Sequence, residues 1–539
     1  MPLSPSAHID TFCRDNLPPE DQWPELRFDL PELRYPERLN CAEALLDATV
    51  AHYGPDRPCL RTPTQTWTYG DLLRHANQAA QVLTEDFGLV PGNRVLLRGP
   101  NNPWLIAAWL AVLKAGGVAV TTMHLLRSGE IATLADLTRP NLAVCDHRLA
   151  GELIAGAPGL PVACYGGGDG DDLASRCEVK SGSFPAVATA ADDVALLAPT
   201  SGTTGKPKAT MHFHRDVLAI NDTFGRHVLA ATPDDVFAGT PPVGFTFGLG
   251  GLVVFPLSIG ASTLLLERAT PDELADAIGD LGVSALFTAP TMYRALMATG
   301  KNEALNRLRR CVSAGEHLPV TVWADFHRAT GIKIIDGIGC TELLHIFISA
   351  AGERIRPGAT GLAVPGFEAA VLDEDGKRVP DGQAGRLAVK GPTGCRYLTD
   401  DRQRRYVVDG WNITGDTYIR DGDGYYWYQA RSDDMIITSG YNVAGPEVEQ
   451  VLLGHADVVE AGVVGAPDPE RGTIVKAYVV LRDSAAAGPA KVAELQAFTK
   501  KAIAPYKYPR AIEFLDSLPR TATGKIQRYR LRQLAGKQR

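Results

Sequence analysis

At 539 residues the chain is too long for one hydrophobic core, and roughly two to four domains are expected. Its 45% hydrophobic and 22% charged residues are ordinary for a soluble globular protein, and a formal charge of −8 offers no basic footprint for a nucleic-acid backbone. Nine dispersed cysteines with no CxxC spacing argue against a zinc or redox pair and fit a reducing cytosol.

Residues 1–40 are rich in proline and acidic groups and read as surface. Their first five residues lack a cationic region followed by an apolar one, so no secretion signal is read there. From about 41 to 430, strand-like apolar runs (95–97, 142–144, 194–198, 262–266, 285–287) alternate with helical patterns (72–83, 104–113, 271–281). That alternation predicts an α/β fold with largely parallel sheets. The longest apolar stretch, 104–120, contains Lys114 and Gly116-Gly117 and reads as a buried helix followed by a strand, not a membrane span. After residue 360, Asp-Gly turn pairs crowd between short strands and predict a β-rich subdomain over about 360–430. From about 434 a short α/β unit follows. The expected boundary lies at Asp433-Asp434, dividing a core of 1–433 from a C-terminal domain of 434–539.

The run Thr200-Ser201-Gly202-Thr203-Thr204-Gly205-Lys206-Pro207-Lys208 combines hydroxyls, glycines and cations, as a loop around a polyphosphate requires. It follows the apolar run 194–198 and precedes a helical pattern at 214–229, which reads as strand, Gly-rich loop, helix. It is not the P-loop of GTPases, because only Thr203-Thr204 separate its glycines and Pro207 follows Lys206.

Four further polar segments stand out. Ser313-Ala314-Gly315-Glu316-His317 and Asp336-Gly337-Ile338-Gly339-Cys340-Thr341-Glu342 each follow an apolar run, where open α/β sheets bind ligands. Glu342 offers a hard oxygen for Mg²⁺ and Thr341 a hydroxyl for a phosphate. Asp416, with Arg431 beyond it, suits ribose hydroxyls, and Lys525 follows a glycine turn near the C-terminus. Taken singly, each also reads as ordinary turn punctuation, a solvated hairpin or a solvated terminal cation.

In this order the segments resemble the adenylate-forming superfamily of acyl- and aryl-CoA synthetases, luciferases and peptide-synthetase adenylation domains, over about residues 40–530. Asp336 to Phe347 is most similar to the benzoate–CoA ligase group, and Arg98-Gly99-Pro100-Asn101-Asn102-Pro103 to 2-aminobenzoate–CoA ligases. The resemblance implies stacked α/β subdomains plus a β subdomain, and a small mobile α+β C-terminal domain. It implies ATP, Mg²⁺ and coenzyme A, and a benzoate-type acid as substrate.

It assigns Thr200, Ser201, Gly202, Thr203, Thr204, Gly205 and Lys206 to the β- and γ-phosphates of ATP. Gly315, Glu316 and His317 would line one face of the adenine and Ile338 the other, with Gly337 between Ile338 and Asp336, which lies near the exocyclic amine. Thr341 would meet the α-phosphate, Glu342 would hold the metal, Asp416 and Arg431 the ribose, and Lys525 the reacting carboxylate and ATP. Phe245, Gly339, His345 and Ile346 would shape the aryl pocket, and Asp433 would be the hinge. Relatives often carry a lysine soon after the hinge, where this chain has Ile436-Ile437-Thr438-Ser439-Gly440, which leaves the grip on CoA open.

The reading is a cytoplasmic aryl-CoA ligase with no nucleic-acid or membrane partner, and a homodimer is the oligomer considered. Two alternatives stay open: a stand-alone enzyme loading a carrier-protein thiol, and a non-catalytic adenylate-binding protein.

Overall fold

The computed structural model describes residues 3–168, 170–201, 207–431, 435–438, 441–468, 472–503, 507–520 and 524–537. Among them, two large sheets carry the N-terminal part. The first has six strands in the order Val162–Tyr165, Leu142–Asp146, Arg94–Arg98, Val118–Thr122, Val194–Ser201, Pro207–Phe213, all parallel except the last pair. Its central strands are buried at every position. Runs such as Val95-Leu96-Leu97 therefore lack alternation, as expected for strands covered on both faces. Helix Pro103–Lys114 is opened by Asn102, whose side chain accepts from the Leu105 N–H at 3.0 Å, and by Pro103 in its first turn. It is apolar nearly all round, and Lys114 at its end reaches the Asp47 carboxylate at 2.5 and 2.6 Å. No helix among the described residues is long and apolar enough to cross a membrane.

The second sheet has nine strands. Pro58–Arg61, Ser262–Leu264, Val236–Gly239, Ala285–Thr288, Arg310–Ser313 and Ile335–Gly339 run parallel, and Thr66–Thr68, Ile346–Ser349 and Leu362–Ala363 add antiparallel flanks. An antiparallel sheet of five strands follows, from Glu368–Leu372 to Tyr426–Arg431. The C-terminal part is built on Val458–Asp468, Gly472–Leu481 and Ala511–Phe514. Val448, Leu452 and Leu495 from its helices fill one core against Val463 and Ala477, and Arg294 Nη1 donates to Val459 O across to it at 3.1 Å.

Three expectations change. The Gly-rich run is not followed by a helix: strand Pro207–Phe213 intervenes and pairs antiparallel with Val194–Ser201, with Thr200 opposite Lys208. Polar Thr210 and His212 disguise this strand in the sequence, yet both are fully buried. The helix itself starts at His214, where its pattern puts it. The apolar run before Asp336 does not end a strand there: the strand starts at Ile335 and runs to Gly339, so Asp336 and Ile338 lie within a strand rather than after it. The first forty residues are not merely surface. Cys13 and Leu33 are buried, Ser6 Oγ donates to Asp193 at 2.5 Å, and Arg94 holds Asp10 at 2.5 Å.

Candidate active site

Ser313 and Asp336 are register partners on adjacent parallel strands. The two expected nucleotide segments, Gly315 to His317 and Asp336 to Gly339, therefore lie side by side at the strands' C-terminal ends. His317 stacks on Tyr428, ring centroids 5.2 Å apart, and burial lowers its pKa to about 4. Tyr428 and Ile338 join the same apolar cluster; sequence reasoning missed Tyr428, which carries no motif. Asp336 Oδ1 is buried and has no hydrogen-bond partner among the described residues. That burial drives its carboxyl pKa well above the usual range.

Asp416 and Arg431 are also register partners, on the antiparallel strands Trp411–Arg420 and Tyr426–Arg431, and Arg431 Nη1 lies 3.3 Å from Asp416 Oδ1. Lys525 reaches the same cleft from the C-terminal domain. It stands on a turn closed by the Arg520–Ile526 bridge, with Gly524 at φ +87° and its carbonyl accepting from Arg520. Its Cε lies 3.8 Å from where a Cβ on Gly315 would stand. The residue as a whole is exposed, and it is the ammonium end that lies among protein groups. Desolvation there lowers its pKa; Glu316 and Asp416 oppose that shift and Arg431 adds to it. Burial raises the pKa of Glu316, against the pull of Arg520 and Lys525.

On the phosphate side, Lys208 Nζ is 2.8 Å from Glu342 Oε1, and the Tyr397 hydroxyl donates to that oxygen at 2.5 Å. Burial alone would raise the Glu342 pKa, but the Lys208 ammonium and these hydrogen bonds outweigh it and hold the carboxylate below its ordinary value. Thr341 is anchored through its carbonyl, which accepts from His212 Nε2 at 2.8 Å. An ionised carboxylate beside a threonine is a hard-oxygen donor set that fits Mg²⁺. Thr200 lies next to the end of its hairpin strand, opposite Lys208. Gly202, Thr203, Thr204, Gly205 and Lys206, the side chain of Ser201, and the hinge at Asp433 lie outside the described residues.

The expected aryl pocket hangs on a strained turn. His345 N donates to Leu343 O at 2.9 Å around Leu344, which has φ +69° and ψ −39°, a γ-turn of the rare positive-φ kind. The turn drives His345 among the rings of Phe255, Phe224 and Phe247, at 4.7, 5.5 and 5.7 Å. A Cβ on Gly250 would stand 2.3 Å from His345 Cδ2, and one on Gly339 2.6 Å from His345 O, so both positions need glycine. Neither His345 nitrogen has a hydrogen-bond partner among the described residues, and burial drops its pKa to about 3. Ile346 is buried beside it, packed over Gly337. Phe245 begins the short helix Thr246–Leu249, but it is Phe247 on that turn whose ring meets His345.

Residues 46–397 match the family described as AMP-binding enzyme, and 447–525 its C-terminal domain. The chain belongs to the AMP-binding enzyme family. It has the multi-domain α/β fold of the adenylate-forming enzymes, with a large N-terminal part and a small C-terminal domain. It is an AMP-forming acid–thiol ligase, with ATP and CoA as co-substrates. It is 34% identical to a benzoate–CoA ligase of Thauera aromatica, over 93% of this chain and 97% of that one. It shares 32% identity with a crystal structure of an anthranilate CoA ligase in complex with anthranoyl-AMP, at a TM-score of 0.89, covering 94% and 99% of the two chains. A benzoate CoA ligase from Burkholderia xenovorans LB400 superposes at 0.84 with 32% identity, covering 92% of this chain and 100% of that one.

Proposed function

We propose that this enzyme is an aryl-CoA ligase acting on a benzoate-type acid, with 2-aminobenzoate and benzoate the favoured substrates. The observation carrying this reading is the ring-walled cage around His345, three residues from Glu342 on the same turn. It is apolar and aromatic, as one flat ring requires. A neutral imidazole carries one acceptor nitrogen, which an ortho amino group would satisfy. The names of the similar proteins support the same class.

In the first step the acid's carboxylate oxygen attacks the α-phosphorus of ATP and pyrophosphate leaves. Two anions meet, so the chain supplies cations: Lys525 at the reacting oxygens, and Lys208 with the 200–206 loop at the phosphates. A Mg²⁺ at Glu342 would offset phosphate charge, and Thr341 would meet the α-phosphate. Asp416 and Arg431 hold the ribose, and Asp336 takes the adenine amine through its unpartnered oxygen. Gly315, Glu316 and His317 face the base opposite Ile338. In the second step the CoA thiol attacks the acyl carbonyl and AMP leaves, with no enzyme nucleophile. Lys525 serves only the first step, and a swing of the 434–539 domain about Asp433 withdraws it.

The test is CoA-dependent AMP release with benzoate, 2-aminobenzoate, hydroxybenzoates, cinnamates and medium-chain fatty acids. Best turnover with the first two is expected. A fatty-acid preference overturns the aryl reading. Pyrophosphate exchange would look the same for a carrier-protein enzyme, so an acid that is adenylated but passed to a carrier protein and not to free CoA favours that alternative, and nucleotide binding without turnover favours a non-catalytic protein.

A further inference from the structure

Behind Glu342 lies a cage that no motif marks. Tyr397 is buried, and its chain position is fixed by a bridge to Thr210 and by its N–H donating to Gln403 Oε1 at 2.9 Å. Lys208 Nζ sits over its ring, 4.2 Å from the centroid, and over that of Tyr406 at 5.5 Å. Lys208 also donates to the Tyr397 hydroxyl, and that hydroxyl donates to Glu342 Oε1. The order of donors admits no other direction: an ammonium cannot accept and a carboxylate cannot donate.

We propose that Tyr397 is a positioning residue of the adenylation step, fixing Glu342 and Lys208 to each other through its one hydroxyl. The proposal rests on the aryl-CoA ligase reading. When Lys208 turns toward a phosphate, Glu342 would lose its cation partner and, without Tyr397, its orientation as well. A hydrogen bond to a buried carboxylate is the strong, charge-assisted kind. Tyr397 thereby acts on the step that uses phosphate and metal, and leaves the thiol step alone.

The experiment is Tyr397→Phe, which keeps the ring, with Tyr406→Phe as control, because the Tyr406 hydroxyl contacts Cys340 Sγ at 3.2 Å and not Glu342. Three readouts are taken: aryl-acid-dependent ATP–pyrophosphate exchange against Mg²⁺ concentration, Mn²⁺ binding by electron paramagnetic resonance with α,β-methylene-ATP present, and thioester formation from supplied aryl-adenylate. Tyr397→Phe is expected to slow exchange about tenfold or more. It should weaken Mn²⁺ binding and raise half-saturating Mg²⁺ several-fold, leave the KM for the acid unchanged, and keep thioester formation within about twofold. Tyr406→Phe is expected to match the wild type. Misfolding would remove both half-reactions together, so their ratio decides even if Tyr397→Phe loses stability. Wild-type exchange and Mn²⁺ binding in Tyr397→Phe, or an equal fall in both half-reactions, overturns the proposal. Failure of the ligase reading itself would show in the wild type alone, as absent aryl-dependent exchange.

Discussion

Replacing Lys525 by alanine separates the two half-reactions. Lys525 is placed against Gly315 and faces Glu316 and Asp416, while Arg431, the next cation in the cleft, is already tied to Asp416 at 3.3 Å. Alanine removes one of several cations around Glu316, the one set against Gly315. A cation about 4 Å from a developing negative oxygen contributes about 4 kcal/mol at an effective dielectric near 20. Water entering the vacated space recovers part of that, so the expected loss is about 3–4 kcal/mol, or 10²–10³-fold in rate. The assay follows ATP–pyrophosphate exchange and, on the same preparation, thioester formation from supplied aryl-adenylate and CoA. Exchange should fall by that factor while thioester formation stays near the wild-type rate. If both fall alike, or exchange keeps more than about a tenth of its rate, Lys525 does not stabilise the adenylation transition state and the domain-swing account fails with it.

Three other outcomes follow from buried groups. His345→Leu removes two unpartnered nitrogens from an apolar cage. It should raise the melting temperature by the equivalent of about 1–3 kcal/mol while cutting the preference for 2-aminobenzoate over benzoate in kcat/KM about tenfold; unchanged selectivity would remove His345 from substrate recognition. Asp216→Ala strands the fully buried Arg396 guanidinium, which holds Asp216 Oδ2 at 2.9 and 3.1 Å, and should cost about 3–5 kcal/mol in denaturant titration. His212, His214 and His345 are buried neutral, with pKa values lowered by desolvation to about 4, 3 and 3 from 6.5. The unfolded chain then binds more protons below pH 6.5, so stability is full above that pH and declines toward the folded values. Between pH 7.5 and 5.5 each should cost about 1.4 kcal/mol, roughly 4 kcal/mol together, read as a falling denaturation midpoint; a flat profile would mean that the three are not held neutral.

Legibility in the sequence divided along a physical line. Contiguous signals survived: the helix at 104–113, the strands at 95–97 and 142–144, and the polar segment at 313–317 lie where their patterns put them, whereas 336–339 falls inside a strand. Strand Pro207–Phe213 did not, because its polar Thr210 and His212 are buried by partners distant in the chain, the carbonyl of Thr341 and the segment 396–398. Tyr397 and Tyr428 escaped for the same reason. A lone tyrosine has no local signature, and its role comes from contacts spanning 55 residues to Glu342 in one case and a ring stack on His317 in the other. Pattern reading sees what the chain does to its neighbours in sequence, and these groups act across sheets.

The hairpin of Ile335–Gly339 and Ile346–Ser349 explains why chemistry and specificity are hard to separate in this fold. Asp336 lies on its first strand, Thr341 and Glu342 on the connecting 3₁₀ turn, and His345 directly before its second strand. The connection is pinned at one end by His212 on the Thr341 carbonyl, and held midway by a hydrogen bond from Thr393 Oγ1 to Leu343 O at 2.8 Å. The strained Leu344 lies between that second pin and His345, so its φ of +69° is maintained by packing rather than by preference. The ring cage meets this turn at His345, and Glu342 is two residues from the strained Leu344. Substitutions that enlarge the cage at Phe224 or Phe255 should therefore alter pyrophosphate exchange even with an acid that fits. If exchange with benzoate in Phe255→Leu keeps the wild-type rate and Mg²⁺ dependence, the turn does not couple pocket to carboxylate.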